Sequence, residues 1–396
     1  MRQKLISFLW VALGAIATGT MLVLALPLGE QAWLAWFMLV PLLIATKEKG
    51  FLVGFLGGLA AVFWCGLLAN IGVFYHAKNF EPDSNWTYSG CGLFGIVFSV
   101  FFAIWADRKN HEKSAWWFAA LAVCLESILL IILPAPLAIT QYRNPIMMVV
   151  ASGVGIWGVS FLVWFLNVAC LRSNGWRSLT GLVAVVSWLA TFTSSIALRN
   201  SDEGKSGEKL VGVVQIGDAM EKELLDSHHS TSEMHPEFIV WPEFSGMMFV
   251  RGEDTSKILE LSQTSSPIIT SFRDTFQPFP HNVASLFENG LESNRYEKRK
   301  LFGAENSMHT AGTKAVAVKN SKGMVIGLNI CYDSCFPYII RETAALPGVS
   351  VIALPTIDPD SRHYFIAGMH AAFTPFRCPE NGVAMVRSDG HFGSMI

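Results

Sequence analysis

Charge is what this sequence has least of. Only 15% of its 396 residues are Asp, Glu, Lys or Arg, while 52% are hydrophobic and the mean hydropathy is +0.39. Soluble globular chains carry about 25% charged residues, so the composition points to a membrane part joined to a soluble part. The formal net charge of -2 shows no excess of either sign and implies no nucleic-acid partner. Metal-site cysteine spacing is also missing. Cys65, Cys91, Cys124, Cys170, Cys331, Cys335 and Cys378 are scattered, with no CxxC pair and no His/Cys cluster. Zinc is therefore not expected, and nothing calls for a cofactor. A Cys335–Cys378 disulfide remains open at this level. Internal repeats and low-complexity tracts are lacking as well.

What is present divides in two. Within residues 1–199 the apolar runs approach the roughly 20 residues that a bilayer crossing needs. About seven spans are expected, near 5–28, 31–46, 51–74, 88–106, 114–133, 146–171 and 176–198. The first follows Arg2 and Lys4 as a signal peptide would, but it lacks a small-residue cleavage site and reads as an anchor. Lys47 and Lys49, then Arg108, Lys109 and Lys113, then Arg172 and Arg177 fall in alternate loops on the side of Arg2 and Lys4; the opposite loops carry Lys78 and Arg143. The positive-inside rule then puts the N-terminus in the cytoplasm, and an odd number of crossings delivers the rest of the chain outside. Gly153 to Gly158 matches GxGxxG within a bilayer-length run, which reads as close helix packing and not as a nucleotide site. Glu126 in the fifth span is either functional or a carboxyl hydrogen-bonded inside the bundle.

A polar linker, NSDEGKSGEK, occupies 200–209. Beyond it, in 210–396, strand-like runs at 210–215, 238–241, 267–271, 315–318, 325–330 and 349–354 alternate with helical stretches such as 256–263 and 338–345. That alternation predicts a layered α/β domain.

Three of its segments carry chemistry. The run VIGLNI ends on Cys331, where Tyr332, Asp333 and Ser334 break the alternation. A strand that stops at a cysteine and turns can present a thiolate together with the N–H groups of the turn. FIVWP ends on Glu243, and YEKRKLF offers Lys298. A carboxylate to take the thiol proton and an ammonium to face a tetrahedral oxyanion complete a set for acyl chemistry. Each also has an ordinary structural reading: a helix cap for Glu243, a solvated charge for Lys298, a core side chain for Cys331.

In this order, Trp-Pro-Glu at 241–243, Tyr-x-Lys-x-x-Leu-Phe at 296–302 and Ile-Cys-Tyr-Asp-x-x-Phe-Pro at 330–337 resemble the Glu-Lys-Cys motifs of the nitrilase, or carbon–nitrogen hydrolase, superfamily. Gly212-Val213-Val214-Gln215 is similar to its opening strand, and Arg377-x-x-Glu380-Asn381-Gly382 with Val386-Arg387 to its late helix-to-strand segment. Spans followed by such a domain resemble the apolipoprotein N-acyltransferase family, as does GIWGVSFL at 155–162. The resemblance implies a polytopic α-helical membrane bundle followed by a nitrilase-like αββα sandwich. It implies an acyl chain moving from a membrane phospholipid to Cys331 as a thioester, and then to the amine of a diacylglyceryl-cysteine lipoprotein, at the outer face of the bacterial inner membrane. Glu305 and Tyr332 become additional active-site candidates. The lysine segment and Cys-Tyr-Asp read more like soluble amidases of the superfamily, so a membrane-tethered amidase acting on a small amide is the alternative. Relative to the family, the loops are short and the chain stops at Ile396, before the expected last strands and span. A receptor or scaffold with a decayed domain is the third reading.

Overall fold

The computed structural model describes residues 2–27, 29–71, 84–108, 113–129, 135–171, 209–217, 221–250, 254–275, 279–303, 305–358 and 364–396. The expected span at 176–198 and nearly all of the expected linker at 200–209 lie outside these residues, as do Lys78, Lys109, Arg172 and Arg177. The chain forms two compact units, Met1–Glu203 and Gly204–Ile396.

In the first unit the described residues hold three helices long and apolar enough to cross a membrane, within Arg2–Ala25 (α1), Phe51–Ala69 and Pro145–Ala169. The run expected to span at 31–46 is not one helix. A 3-10 turn, Ala32–Trp36, is followed by the short helix α2, Val40–Thr46, which carries Pro41 in its first turn. Proline has no N–H to donate, so it is tolerated best in the first turn of a helix. The interrupted segment still returns along α1. The N–H of Gln31 donates to Leu24 O at 2.9 Å at one end, and Lys49 Nζ donates to Ser7 Oγ at 2.9 Å at the other.

Helix α3, Phe51–Ile71, packs on α4, Ser84–Ala106. Gly54 and Gly58 make room: a Cβ on Gly54 would lie 2.2 Å from Phe102 O, and one on Gly58 2.8 Å from Ser99 Cα. Among the described residues such close packing occurs here and at Gly19, where a Cβ would lie 2.3 Å from Ala61 O, and the exposed Gly153 of the GxGxxG run takes no part in it. Within α6, Pro145–Ala169, Gly153 is exposed and Gly155 adopts φ 68°, ψ -178°, which breaks the helix. A side chain would oppose that conformation.

The basic loops gather at one end of this unit. The N–H of Gly50 donates to Ala106 O at 3.0 Å and Arg108 Nε to Glu48 O at 3.1 Å, so Lys47, Lys49 and Arg108 share the end where α1 begins. At the other end Arg143 pairs with Glu30 at 2.6 Å. Glu126, on α5 (Ala115–Leu129), is bonded inside the bundle. Its carboxylate accepts from Leu137 N at 3.0 Å, Trp164 Nε1 at 2.8 Å and Ser160 Oγ.

The second unit is an αββα sandwich. In chain order its elements are β1 (Gly212–Val213), α7 (Glu221–Ser232), β2 (Ile239–Val240), α8 (Ser256–Thr264), β3 (Ile268–Arg273), β4 (Asn282–Glu288), β5 (Leu291–Glu292), β6 (Tyr296–Glu297), α9 (Glu305–Met308), β7 (Val316–Lys319), β8 (Val325–Leu328), α10 (Pro337–Ala344), β9 (Val349–Thr356), α11 (Tyr364–Ala371), α12 (Thr374–Asn381) and β10 (Ala384–Asp389). One sheet runs β1-β2-β3-β4, with β5 and β6 both on β4; the other runs β10-β9-β8-β7. In the second sheet two parallel pairs end in one antiparallel pair, β7–β8; in the first, β1-β2-β3 are parallel and β4 pairs antiparallel with β3, β5 and β6.

Side chains alternate across the strands and so fill three layers. Val240, Ile269, Ile326, Leu328, Val351 and Val386 meet between the sheets. Ile239, Ile268 and Phe272 face Leu224 and Ile258 of the helices outside the first sheet. Ile352, Leu354 and Met385 face Ile340 and Cys378 outside the second. Cys335 and Cys378 are both free thiols, so the disulfide left open by the sequence does not form.

Candidate active site

Strand ends place the site, because the parallel strands of both sheets stop on one edge. β2 runs into Trp241, Pro242 and Glu243, and the N–H of Glu243 donates to Thr356 O at 3.1 Å, tying this end of the first sheet to the end of β9. β6 runs into Lys298, whose N–H donates to Asn282 O at 2.8 Å. β8 continues through Asn329, bonded to Ala353 O at 3.1 Å, and Ile330 to Cys331. At Cys331 the backbone turns left-handed, with φ 47°, and a 3-10 turn, Cys331–Cys335, begins.

Asp333 fixes that turn. One carboxylate oxygen accepts from Ile330 N at 3.0 Å and Tyr296 OH at 2.7 Å; the other accepts from Lys300 N at 2.9 Å. A single buried acid therefore joins the cysteine turn to the lysine segment.

The expected residues converge. Lys298 Nζ donates to Glu243 Oε1 at 2.8 Å and to Glu305 Oε2 at 2.7 Å. The Cys331 sulfur lies within electrostatic reach of both the Glu243 carboxylate and the Lys298 ammonium. Asn282 Nδ2 donates to Glu243 Oε1 at 2.8 Å, and Ile357 N donates to Oε2 at 3.2 Å. Glu305 Oε2 also accepts from Phe302 N at 2.8 Å. Tyr332 turns its ring towards Phe302 and Phe336, with centroids 4.9 and 5.1 Å away, and contributes a wall. Glu243 and Lys298 are 2% and 1% exposed, so the solvated-charge and helix-cap readings do not hold.

Burial sets the electrostatics. Desolvation pushes the Cys331 thiol well above its ordinary range; Glu243 adds to this and Lys298 opposes it. Desolvation also raises Glu243, against the pull of Lys298. Burial works against the Lys298 ammonium, but Glu243, the Cys331 sulfur and Glu305 together hold it above its usual value. The resting cysteine is thus a thiol that leans on a carboxylate able to take its proton.

Behind the cysteine lies a second group that the sequence did not single out. His370 Nδ1 lies 2.6 Å from Asp358 Oδ1; Asp358 also pairs with Arg387, which pairs with Asp389 at 2.7 Å. Burial opposes the charge on His370, but Asp358 overrides it and raises the imidazole to about 10. The Cys331 sulfur, an Asp358 oxygen and a His370 nitrogen fall within 4.8 Å of one another. This is a spacing that metals use, but here the imidazole is protonated and ion-paired, a poor donor set for a cation.

Residues 18–169 match the family model of the apolipoprotein N-acyltransferase N-terminal domain. An apolipoprotein N-acyltransferase of Geobacter metallireducens is 23% identical over 94% of this chain and 82% of its own length. The chain resembles the apolipoprotein N-acyltransferases. Among solved structures, NitN amidase from Neterenkonia sp. AN1 matches 46% of this chain and 78% of its own at 19% identity and a TM-score of 0.39. A second structure, of an amidase from Nesterenkonia sp., matches 47% and 79% at the same identity and TM-score.

Sequence reasoning missed Asn282, Asp333, Asp358 and His370 as members of the site. Asp333 carried a signal, since an acid two residues beyond a strand-terminating cysteine is placed to accept from the turn's own amides.

Proposed function

We propose that the chain is a membrane-bound N-acyltransferase that moves a fatty acyl chain from a phospholipid to the amino terminus of a diacylglyceryl-cysteine lipoprotein. The observation that carries this reading is Lys298 Nζ bridging Glu243 at 2.8 Å and Glu305 at 2.7 Å, within electrostatic reach of the buried Cys331 thiol.

In the first half-reaction Cys331 attacks the ester carbonyl carbon and Glu243 takes the thiol proton. Two N–H groups of Lys298 are engaged by Glu243 and Glu305, which aims the third at the oxyanion, together with the backbone N–H of Tyr332. A lost donor of this kind costs about 2.7–4 kcal/mol. Collapse expels the lysolipid oxygen, Glu243 returns the proton to it, and a thioester remains. In the second half-reaction the lipoprotein amine attacks the thioester, Glu243 accepts the amine proton, and the thiol leaves with it. Apolar surroundings keep water from the thioester.

The basic end of the first unit supports a cytoplasmic N-terminus, with the catalytic unit on the extracytoplasmic side of the bacterial inner membrane. Incubation with radiolabelled phospholipid should label the full-length protein in a form that hydroxylamine releases and Cys331→Ala abolishes. An unlabelled wild-type protein would sink the reading. The soluble-type lysine and Cys-Tyr-Asp segments favour a second reading, a membrane-tethered amidase, which predicts turnover of small amides without lipid.

A further inference from the structure

The geometry points to His370 as a positioning residue: its Nε2–H holds the Cys331 carbonyl and so fixes the left-handed backbone that turns the thiol toward Glu243. This rests on Cys331 being the nucleophile of the proposed function.

A non-glycine residue at positive φ persists only where its surroundings over-determine it. At Cys331 they do so from both sides. Asp333 accepts from the preceding amide, Ile330 N, at 3.0 Å. The Cys331 carbonyl oxygen receives Ser334 Oγ at 2.9 Å and His370 Nε2 at 3.2 Å, and Ser334 Oγ itself lies 3.2 Å from Nε2. His370 is thus the part of this clamp that comes from outside the turn, 39 residues further along the chain.

The ring cannot choose another role. Asp358 engages Nδ1, so the proton on Nε2 faces Cys331 and Ser334. Arg387 and Asp389 hold Asp358 in turn, and Asp358 N donates to Asp389 Oδ1 at 3.3 Å. The ends of β9 and β10 therefore brace the last turn of α11 against the cysteine turn. The charged groups about the Cys331 sulfur are Glu243, Lys298, Asp358, Glu305 and Arg387; those about His370 are Asp358, Arg387 and the Cys335 thiol. The hydrogen bond that the histidine makes to the nucleophile is to its backbone carbonyl, at 3.2 Å.

The test uses full-length wild type, His370→Ala and His370→Gln in detergent, each checked for folding by thermal melting. Two rates are read: acyl-enzyme formation at saturating labelled phospholipid, and alkylation of Cys331 by iodoacetamide, which needs a presented thiol but no lipid. Misplacing a nucleophile costs roughly tenfold to a hundredfold. We expect His370→Ala to lose that much in both rates with the donor KM little changed, and the amide N–H of His370→Gln to restore most of it. Equal losses in both variants, or no loss in either, would overturn the assignment, since a merely structural histidine is not rescued by one retained donor. If the alanine variant does not fold, Asp358→Asn carries the test, because it unlocks the ring, and wild-type rates in it would overturn the proposal. Wild type that takes no acyl label while the alkylation rates still split between the variants would reject the acyltransferase reading and leave the positioning role standing.

Discussion

Glu243 and Lys298 pull the Cys331 thiol in opposite directions, the carboxylate raising it and the ammonium lowering it. Glu243→Gln should therefore shift the inflection of Cys331 alkylation to lower pH, while acyl transfer falls by roughly 10²–10⁴-fold as the general base is lost. An unshifted inflection, followed by iodoacetamide across the pH range, would remove Glu243 from contact with the sulfur. These residues were legible because each ends an apolar run: a polar group at the end of a strand has left the core and needs a task. Arg387 stood out only within its motif, without a task, and Asp358 and His370 did not stand out at all, since the β9–β10 register, with Arg387 opposite Leu354, and the last turn of α11 bring them together. No spacing along the chain announces that pairing.

At the scale of elements, the turn Cys331–Cys335 depends on one acid. Asp333→Ala would strand Ile330 N, Lys300 N and the Tyr296 hydroxyl, and buried unpaired donors cost about 1–3 kcal/mol each. Urea denaturation should show a loss of several kcal/mol, on the order expected when a buried hydrogen-bond network is broken. In α6, Gly155→Ala places a Cβ at φ 68° and should cost about 1–3 kcal/mol, read as a lower melting temperature in detergent. Most strands were visible as apolar runs, but β4 was not. Its sequence NVASLFE is buried at nearly every position, so it lacks the polar alternation that marks a half-exposed strand. It nevertheless supplies Asn282, which bonds Glu243. The break between Trp36 and Val40 escaped notice for a related reason: hydropathy reports depth in the lipid, not continuity of the helix.

Across the whole molecule, pH should reveal the Asp358–His370 pair. Below about pH 6.5 folded and unfolded chains both hold the His370 proton, and the pair contributes in full. From there up to about 10 only the folded chain retains it, so stability drains as pH rises. On the acid side Asp358, held down to about 2 by His370 and Arg387 against its burial, contributes above its ordinary range and loses that contribution as pH falls through about 2. Melting temperature should decline from pH 6.5 towards pH 9 in wild type and stay flatter in His370→Gln; parallel curves would mean that the pair is not ionised. Orientation is testable at the same scale. In a background free of other reactive thiols, Lys49→Cys should resist a membrane-impermeant maleimide in intact cells, and Arg143→Cys should react. The reverse pattern would place the catalytic unit in the cytoplasm.

Glu126 sets a condition on how the bundle comes together. Its carboxylate finds partners only when the segment around Leu137 and the face of α6 bearing Ser160 and Trp164 have both arrived. Until then an acid on α5 stands in hydrocarbon without donors, which is costly. The residue acts as a latch on assembly order, making a half-built bundle unfavourable and rewarding the one arrangement in which all three pieces have closed around it.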